Sequence, residues 1–304
     1  MINGILNIYK EKGYTSHDVV ARLRGIVGQR KIGHTGTLDP EAEGVLPVCL
    51  GRATKVCDML TDRDKTYRTV LLLGKRTDTQ DATGEVLSVS DTGALTPEKT
   101  TACVKEFIGE YDQVPPMYSA LKVGGKKLYE LAREGKTVER KSRKVMIHDI
   151  QIISVSLPRV EMEVSCSKGT YIRTLCHDIG EKLGVGGCME RLLRTKAGSF
   201  ALTESLKLDE VEKAAREGKL DEILIPLDRV FGHLDQITIK DAYKALGYNG
   251  NPLELRQIEK IPAGCGKNVR YRVYDREEHF IGIYRCDGRK FCLEKMFFDP
   301  DLMS

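Results

Sequence analysis

Gly33-His34-Thr35-Gly36-Thr37-Leu38-Asp39-Pro40 lies between a helical pattern and an apolar run, and its reading decides how the first part of the chain folds. Its two glycines permit a tight backbone, and Pro40 restricts Asp39 to extended conformations. A carboxylate presented from so stiff a loop suits positioning catalysis. The same spacing fits a plain turn in which Asp39 caps the next element, and the residues leave both readings open.

Upstream of this loop, Ile2 to Tyr9 alternates as a strand does, and Thr15-Ser16-His17-Asp18 offers capping oxygens before Val19, Val20, Leu23, Ile26 and Val27 at helical spacing. Downstream, Val45 to Leu50 reads as a short buried strand and Ala53 to Leu60 as a helix. Lys65 to Leu73 and Glu85 to Val89 predict strands, and Thr96-Pro97-Glu98 starts a further helix. Val145 to Val155 and Val160 to Ser165, broken near Pro158, predict an antiparallel hairpin, followed by helices over about Tyr171 to Leu183 and Asp209 to Arg216. Strands that neighbour one another as often as they alternate with helices indicate an α+β fold with a mixed or antiparallel sheet.

After Ile225-Pro226-Leu227 the texture changes. Val269 to Tyr274, Phe280 to Tyr284 and Phe291 to Phe297 are strand-like runs separated by charged turns, which predicts a small β-rich module. The expected organisation is a domain over 1–233 and a second over 234–304. A chain of 304 residues suits one large and one small unit.

Composition excludes more than it assigns. With 41% hydrophobic and 30% charged residues the chain is of ordinary globular type. Apolar runs such as Val70 to Leu73 fall far short of the roughly 20 residues that span a bilayer. Met1-Ile2-Asn3-Gly4-Ile5-Leu6-Asn7 lacks the marks of a secretory signal, so a cytoplasmic location is expected. The nine cysteines form no C-x-x-C pair and the six histidines show no ligand spacing, so buried thiols and a metal-free protein are expected.

The formal charge is only +4, but Lys122 to Lys144 holds nine basic residues against three acidic ones. Such a segment is either a solvated face or a phosphate-tracking patch. A Walker A loop, a G-x-S-x-G elbow and a G-x-G-x-x-G fingerprint are all absent, which argues against nucleotide cradles, serine hydrolases and dinucleotide enzymes.

The run Gly33 to Pro40, continued by Glu41-Ala42-Glu43-Gly44-Val45-Leu46-Pro47, resembles the signature of the TruB family of tRNA pseudouridine synthases. Lys65-Thr66-Tyr67-Arg68, Pro115-Pro116-Met117-Tyr118-Ser119-Ala120-Leu121-Lys122 and Cys166-Ser167-Lys168-Gly169-Thr170-Tyr171-Ile172-Arg173-Thr174-Leu175 resemble the family's other blocks, in the family's order. The resemblance covers residues 1 to about 230. Glu43 departs from it, since family members often carry a small or hydroxylated residue there. The C-terminal segment is similar to the PUA module that follows this domain in many bacterial members.

The resemblance implies an enzyme that detaches uracil N1 from the ribose, turns the base and rejoins it through C5, with no redox cofactor. It implies that Asp39 is the essential carboxylate, as nucleophile or as base at the sugar, and that Arg173 holds it charged. A target base must leave its stack to reach a carboxylate. Tyr67 then matches the family's stacking residue, Tyr171 and Leu192 match other pocket positions, and His34 matches the residue inserted into the disrupted RNA loop. The implied substrate is the T-loop uridine at position 55 of tRNA, the implied partner is the tRNA T-arm, and a monomer is expected. Two alternatives remain: a relative working in an RNA-guided complex on ribosomal RNA, and an RNA-folding factor with incidental activity. A hydrolase built on Asp39 lacks a second carboxylate in the same loop context.

Overall fold

The computed structural model describes residues 1–261 and 266–298, so Cys265 lies outside the described residues. In chain order, strand β1 (Gly4–Lys10) leads to helix α1 (Ser16–Val27). Thr15 and Asp18 cap this helix reciprocally and Gly28 closes it in the left-handed region. Strands β2 (Ile32–His34) and β3 (Glu43–Leu50) follow, then β4 (Lys65–Leu73) and helix α2 (Pro97–Lys105), whose N-cap is Thr96. Next come β5 (Gly109–Gln113), the hairpin β6 (Arg143–Ser156) and β7 (Arg159–Cys166), and helix α3 (Ile172–Lys182). Strands β8 (Gly187–Ala197) and β9 (Phe200–Ala201) and helix α4 (Leu208–Arg216) complete this part.

These strands form one nine-stranded sheet in the order β1-β3-β8-β4-β7-β6-β5, with β2 beside β3 and β9 beside β8. Every pairing is antiparallel except β3 with β8, which run parallel through only two residue pairs, Glu43 with Leu193 and Gly44 with Arg194. Helix α3 buries Ile172, Leu175 and Ile179 against Leu71, Ile147 and Val164 of the sheet. Helix α1 and Val211 of α4 cover Leu6, Ile8 and Leu46 on β1 and β3. Each such large aliphatic side chain contributes about 1.5–3 kcal/mol on burial.

A second sheet has the order β10 (Asp235–Thr238), β12 (Arg270–Tyr274), β13 (Phe280–Cys286), β14 (Lys290–Met296) and β11 (Leu253–Glu254). Its core is Ile237, Tyr271, Ile281 and Phe291. The two sheets share a further cluster in which Ile5, Val45 and Phe231 meet Ile283 and Phe297. The α+β expectation with a β-rich C-terminal part is thus met.

Three local readings change. Residues 187–197, not expected to be a strand, form β8 in the middle of the large sheet. The helix expected over Ala53 to Leu60 is a 3-10 turn over Gly51–Val56 followed by a short α-helix, Cys57–Thr61. Gly51 sits at φ +59 with the backbone of Ile2 pressed against it, so the chain turns tightly there before it can coil. The loop read over Gly33 to Pro40 yields its first two residues to β2, which pairs Gly33 with Cys49 and His34 with Val48.

Of the eight described cysteines, six are buried. Among the described residues no helix is long and apolar enough to cross a membrane.

Candidate active site

The Asp39 loop is anchored along its length. The Ser16 hydroxyl accepts from the Leu38 N–H at 2.9 Å, and Leu38 itself is buried. The Pro40 carbonyl accepts from the Gly13 N–H at 2.9 Å and from the Lys10 ammonium at 3.1 Å. The Thr35 N–H donates to the Pro47 carbonyl, and the Ala42 N–H closes a turn onto the Asp39 carbonyl. Lys10 is fully buried in β1, and burial pushes its ammonium down to about 8. The stiffness read from Gly36 and Pro40 therefore has a hydrogen-bonded basis.

Arg173, on the first turn of α3, meets this loop. Its Nε lies 3.0 Å from Asp39 Oδ2 and its Nη2 donates to Asp39 Oδ1 at 3.4 Å, a forked contact. The guanidinium is fixed from behind by the Tyr118 carbonyl at 2.7 Å and the Thr79 carbonyl at 3.1 Å. Its side chain is only 5% exposed, whereas that of Asp39 is 41% exposed. The pair is thus buried on its cationic side and open on its anionic side.

That open side faces a cleft of about 480 Å³ whose lining includes Asp39, Asp81, Thr69, Val70, Leu192 and Leu193. Leu192 reaches it from β8, where its partner on β4 is Thr69. Tyr67, half-buried on β4, packs with Leu192 against the core beneath the cleft. Burial pushes its phenol up, while the charge of the nearby Arg194 guanidinium pulls the other way. Tyr171 caps α3, with its N–H donating to Gln113 Oε1 at 2.7 Å. Burial raises its phenol too, and the Ser119 hydroxyl opposes this.

His34 is not brought into this cleft. It lines a separate cavity of about 500 Å³ with His17, Arg24, Arg30 and Lys31. Its ring meets His17 edge-on at 5.8 Å, and its Nδ1 accepts from the Gly36 N–H at 3.3 Å. Burial first, then the neighbouring His17 and Arg194, hold its imidazole below the usual histidine range, which favours the neutral ring.

Two residues near the site were not singled out in the sequence. Asp81 lines the cleft 4.0 Å from Arg173 Nη1, on the turn between Lys75–Thr77 and Val86–Val89. Its carboxylate accepts from the Thr83 N–H and the Thr79 hydroxyl, and that polar Asp-Thr-Gln-Asp turn was its only local signal. Arg194 is a fully buried cation on β8, invisible locally because its partners are far apart in the chain.

Away from the cleft, the basic segment is largely unpaired. Lys126 and Lys136 bind Glu134, and Lys144 binds Glu110. Among the described residues no carboxylate pairs with Lys122, Lys127, Arg133, Arg140, Lys141 or Arg143. Asp275, Glu277 and His279 come within 4.8 Å of one another in the C-terminal part. There Asp275 already accepts from the Tyr248 hydroxyl and from the N–H of His279, with His279 Nδ1 at 2.8 Å, so its oxygens are taken up within the fold.

A family model described as TruB family pseudouridylate synthase (N terminal domain) matches residues 24–172, and one described as tRNA pseudouridylate synthase B C-terminal domain matches residues 173–231. A protein of Lachnoclostridium phytofermentans named tRNA pseudouridine synthase B is 51% identical, over 97% of this chain and 100% of that one. One of Clostridium perfringens with the same name is 43% identical, over 98% and 100%. Two solved structures share the fold at a TM-score of 0.74. One is an H/ACA RNP bound to a substrate RNA containing 2'-deoxyuridine, 26% identical, and the other a Cbf5-Nop10-Gar1 complex, 28% identical; the match covers 98% of this chain and 86% of each neighbour. With both family models contiguous across the strand-loop, sheet and helix that build the Asp39 cleft, the chain belongs to the TruB family of pseudouridine synthases, isomerases that convert uridine to pseudouridine.

Proposed function

We propose that this protein isomerises the T-loop uridine of tRNA, position 55 in conventional numbering, to pseudouridine, with Asp39 as the essential carboxylate. The observation that carries this reading is the Asp39–Arg173 pair, a half-exposed carboxylate oriented by a buried guanidinium at the wall of a cleft with apolar Leu192. The reaction breaks one bond from ribose C1′ to uracil N1 and forms one from C1′ to C5. It gains and loses no electrons, so the residues need only orient, exclude water and move protons. A carboxylate held by two N–H groups keeps its remaining lone pairs for the sugar, as nucleophile or as base.

A base must be extruded to reach Asp39, and it loses its stacking when it leaves the helix. Leu192 supplies apolar surface in the cleft, and Tyr67 and Tyr171, which do not line it, are the aromatic residues proposed to meet the extruded base. His34, flat and favoured in its neutral form, is the candidate to fill the vacated place in the RNA loop. The unpaired cations between Lys122 and Arg143 suit phosphate contacts, which add salt-sensitive affinity but little sequence choice. Residues 1–233 would form the catalytic domain and 234–304 a PUA-like RNA-binding domain, acting as a cytoplasmic monomer without cofactor or metal. The tRNA reading is favoured over an RNA-guided one because the relatives named for tRNA are 43–51% identical over nearly the whole chain, against 26–28% for the structural neighbours.

The test is to incubate the purified chain alone with an unmodified tRNA transcript and with the same transcript carrying cytidine at the T-loop position, then map pseudouridine. Product at the T-loop uridine of the first transcript only is the expected result. No product from a folded, RNA-binding chain would favour the guided complex.

A further inference from the structure

The large sheet is divided at its parallel junction. On one side lie β1, β2 and β3, with the loop that ends at Asp39; on the other lie β4 with Tyr67 and, through α3, Arg173. Only two residue pairs join β3 to β8, yet the cleft takes residues from both sides. Whatever sets the distance across this junction sets the geometry of the site.

Arg194 stands at that junction. It is 1% exposed and among the largest fully buried side chains of the protein. Its Nε donates to the Val45 carbonyl on β3 at 2.6 Å, and its Nη2 to the Gly36 carbonyl of the Asp39 loop at 3.2 Å. On its other side it stands directly opposite Tyr67 in the β8–β4 ladder, near enough that its charge favours the ionised phenol. The packing leaves no slack: a Cβ on Gly44, at φ +108, would lie 2.3 Å from the Arg194 carbonyl oxygen.

Among the described residues no carboxylate forms an ion pair with Arg194, although burying a cation without one is costly. A methionine or leucine would fill the space at lower cost, so the guanidinium has a use that packing alone does not explain. Its planar fork can bond a loop carbonyl and a strand carbonyl at once while its charge faces the ring of Tyr67.

We propose that Arg194 is a positioning residue for pseudouridine formation, clamping the Asp39 loop to Tyr67 across the parallel junction. This rests on the reading of the Asp39 cleft as the site of the reaction. Arg194 is not among the residues lining the cleft, so it acts through Asp39 and Tyr67 and not on the RNA.

The deciding experiment uses the full chain with Arg194→Lys, Tyr67→Phe and the double change, measuring the single-turnover rate at saturating tRNA transcript, RNA affinity and the thermal midpoint. Lysine keeps the charge but loses the fork that holds both carbonyls, so the rate should fall about 10- to 100-fold while RNA affinity stays within about threefold. The double variant should be slower than Tyr67→Phe by much less than that factor, since both changes break one linkage. Arg194→Lys as fast as wild type, or two changes whose effects multiply fully, would overturn the proposal. So would a fall in rate accompanied by an equal fall in RNA affinity. A variant that does not fold as wild type is assessed below its midpoint, where the same rate ratio decides. A wild type that makes no pseudouridine would instead bring down the parent reading, a result distinct from all of these.

Discussion

Asp39 and Asp275 are both aspartates held by a cationic or polar neighbour, yet they stand in opposite circumstances. The Asp275 side chain is 1% exposed and its oxygens are taken up by Tyr248 and by two nitrogens of His279. Asp39 is held along one edge by Arg173 and is open to the cleft along the other. A saturated, buried carboxylate stabilises a fold, whereas one that is oriented but unsaturated is available to a substrate. The difference lies in what surrounds each residue and could not be read from residue type.

This contrast can be broken at several points. Among the residues around the two aspartates, the largest effect is expected at Arg173. Arg173→Met frees Asp39 and leaves the Tyr118 and Thr79 carbonyls without their donor, and should slow single turnover about 10³-fold while lowering stability by about 2–3 kcal/mol. Equal rates in the two proteins would mean that the orienting pair is dispensable. Asp275→Ala should do the reverse. It should cost about 2–3 kcal/mol in denaturant unfolding, yet leave the rate at saturating RNA within about twofold. A large loss of rate well below the unfolding midpoint would erase the distinction.

Lys10 sharpens the comparison through pH. Its folded-state value of about 8 lies below the ordinary 10.5, so between those values the unfolded chain binds a proton that the native chain has released. Stability then rises with pH across this window. The stability of wild type minus that of Lys10→Met should therefore increase by about 2–3 kcal/mol from pH 8 to 10.5 in urea titrations. A flat difference would show that Lys10 is not buried as described. The smallest effect is expected in the basic segment, where Lys141→Ala should weaken tRNA binding a few-fold at all sequences and flatten the salt dependence by about one unit of slope. An unchanged slope would make this segment a solvated face.

Much of the fold was legible where one local signal sufficed. Lys65–Leu73 is the strand that was expected there, and Thr96-Pro97 opens the helix that its start signal predicts. Strand β8 was not legible because its pairing with β4 shifts register between Met189 and Arg191 and again between Arg194 and Lys196. Two bulges destroy the period of two on which strand reading depends. The stiff Asp39 loop was visible in Gly36 and Pro40. Asp81 and Arg194 were not, because each matters through residues distant in the chain, Arg173 for one and Gly36, Val45 and Tyr67 for the other.

The most direct test of the account is the single-turnover rate of Asp39→Asn against wild type, with RNA affinity measured on the same preparations. Asparagine keeps the shape at a site 41% open to solvent, so folding and tRNA binding should be retained while pseudouridine formation falls by at least about 10⁴-fold. Substantial product from a folded Asp39→Asn variant would contradict the assignment of Asp39 as the essential carboxylate.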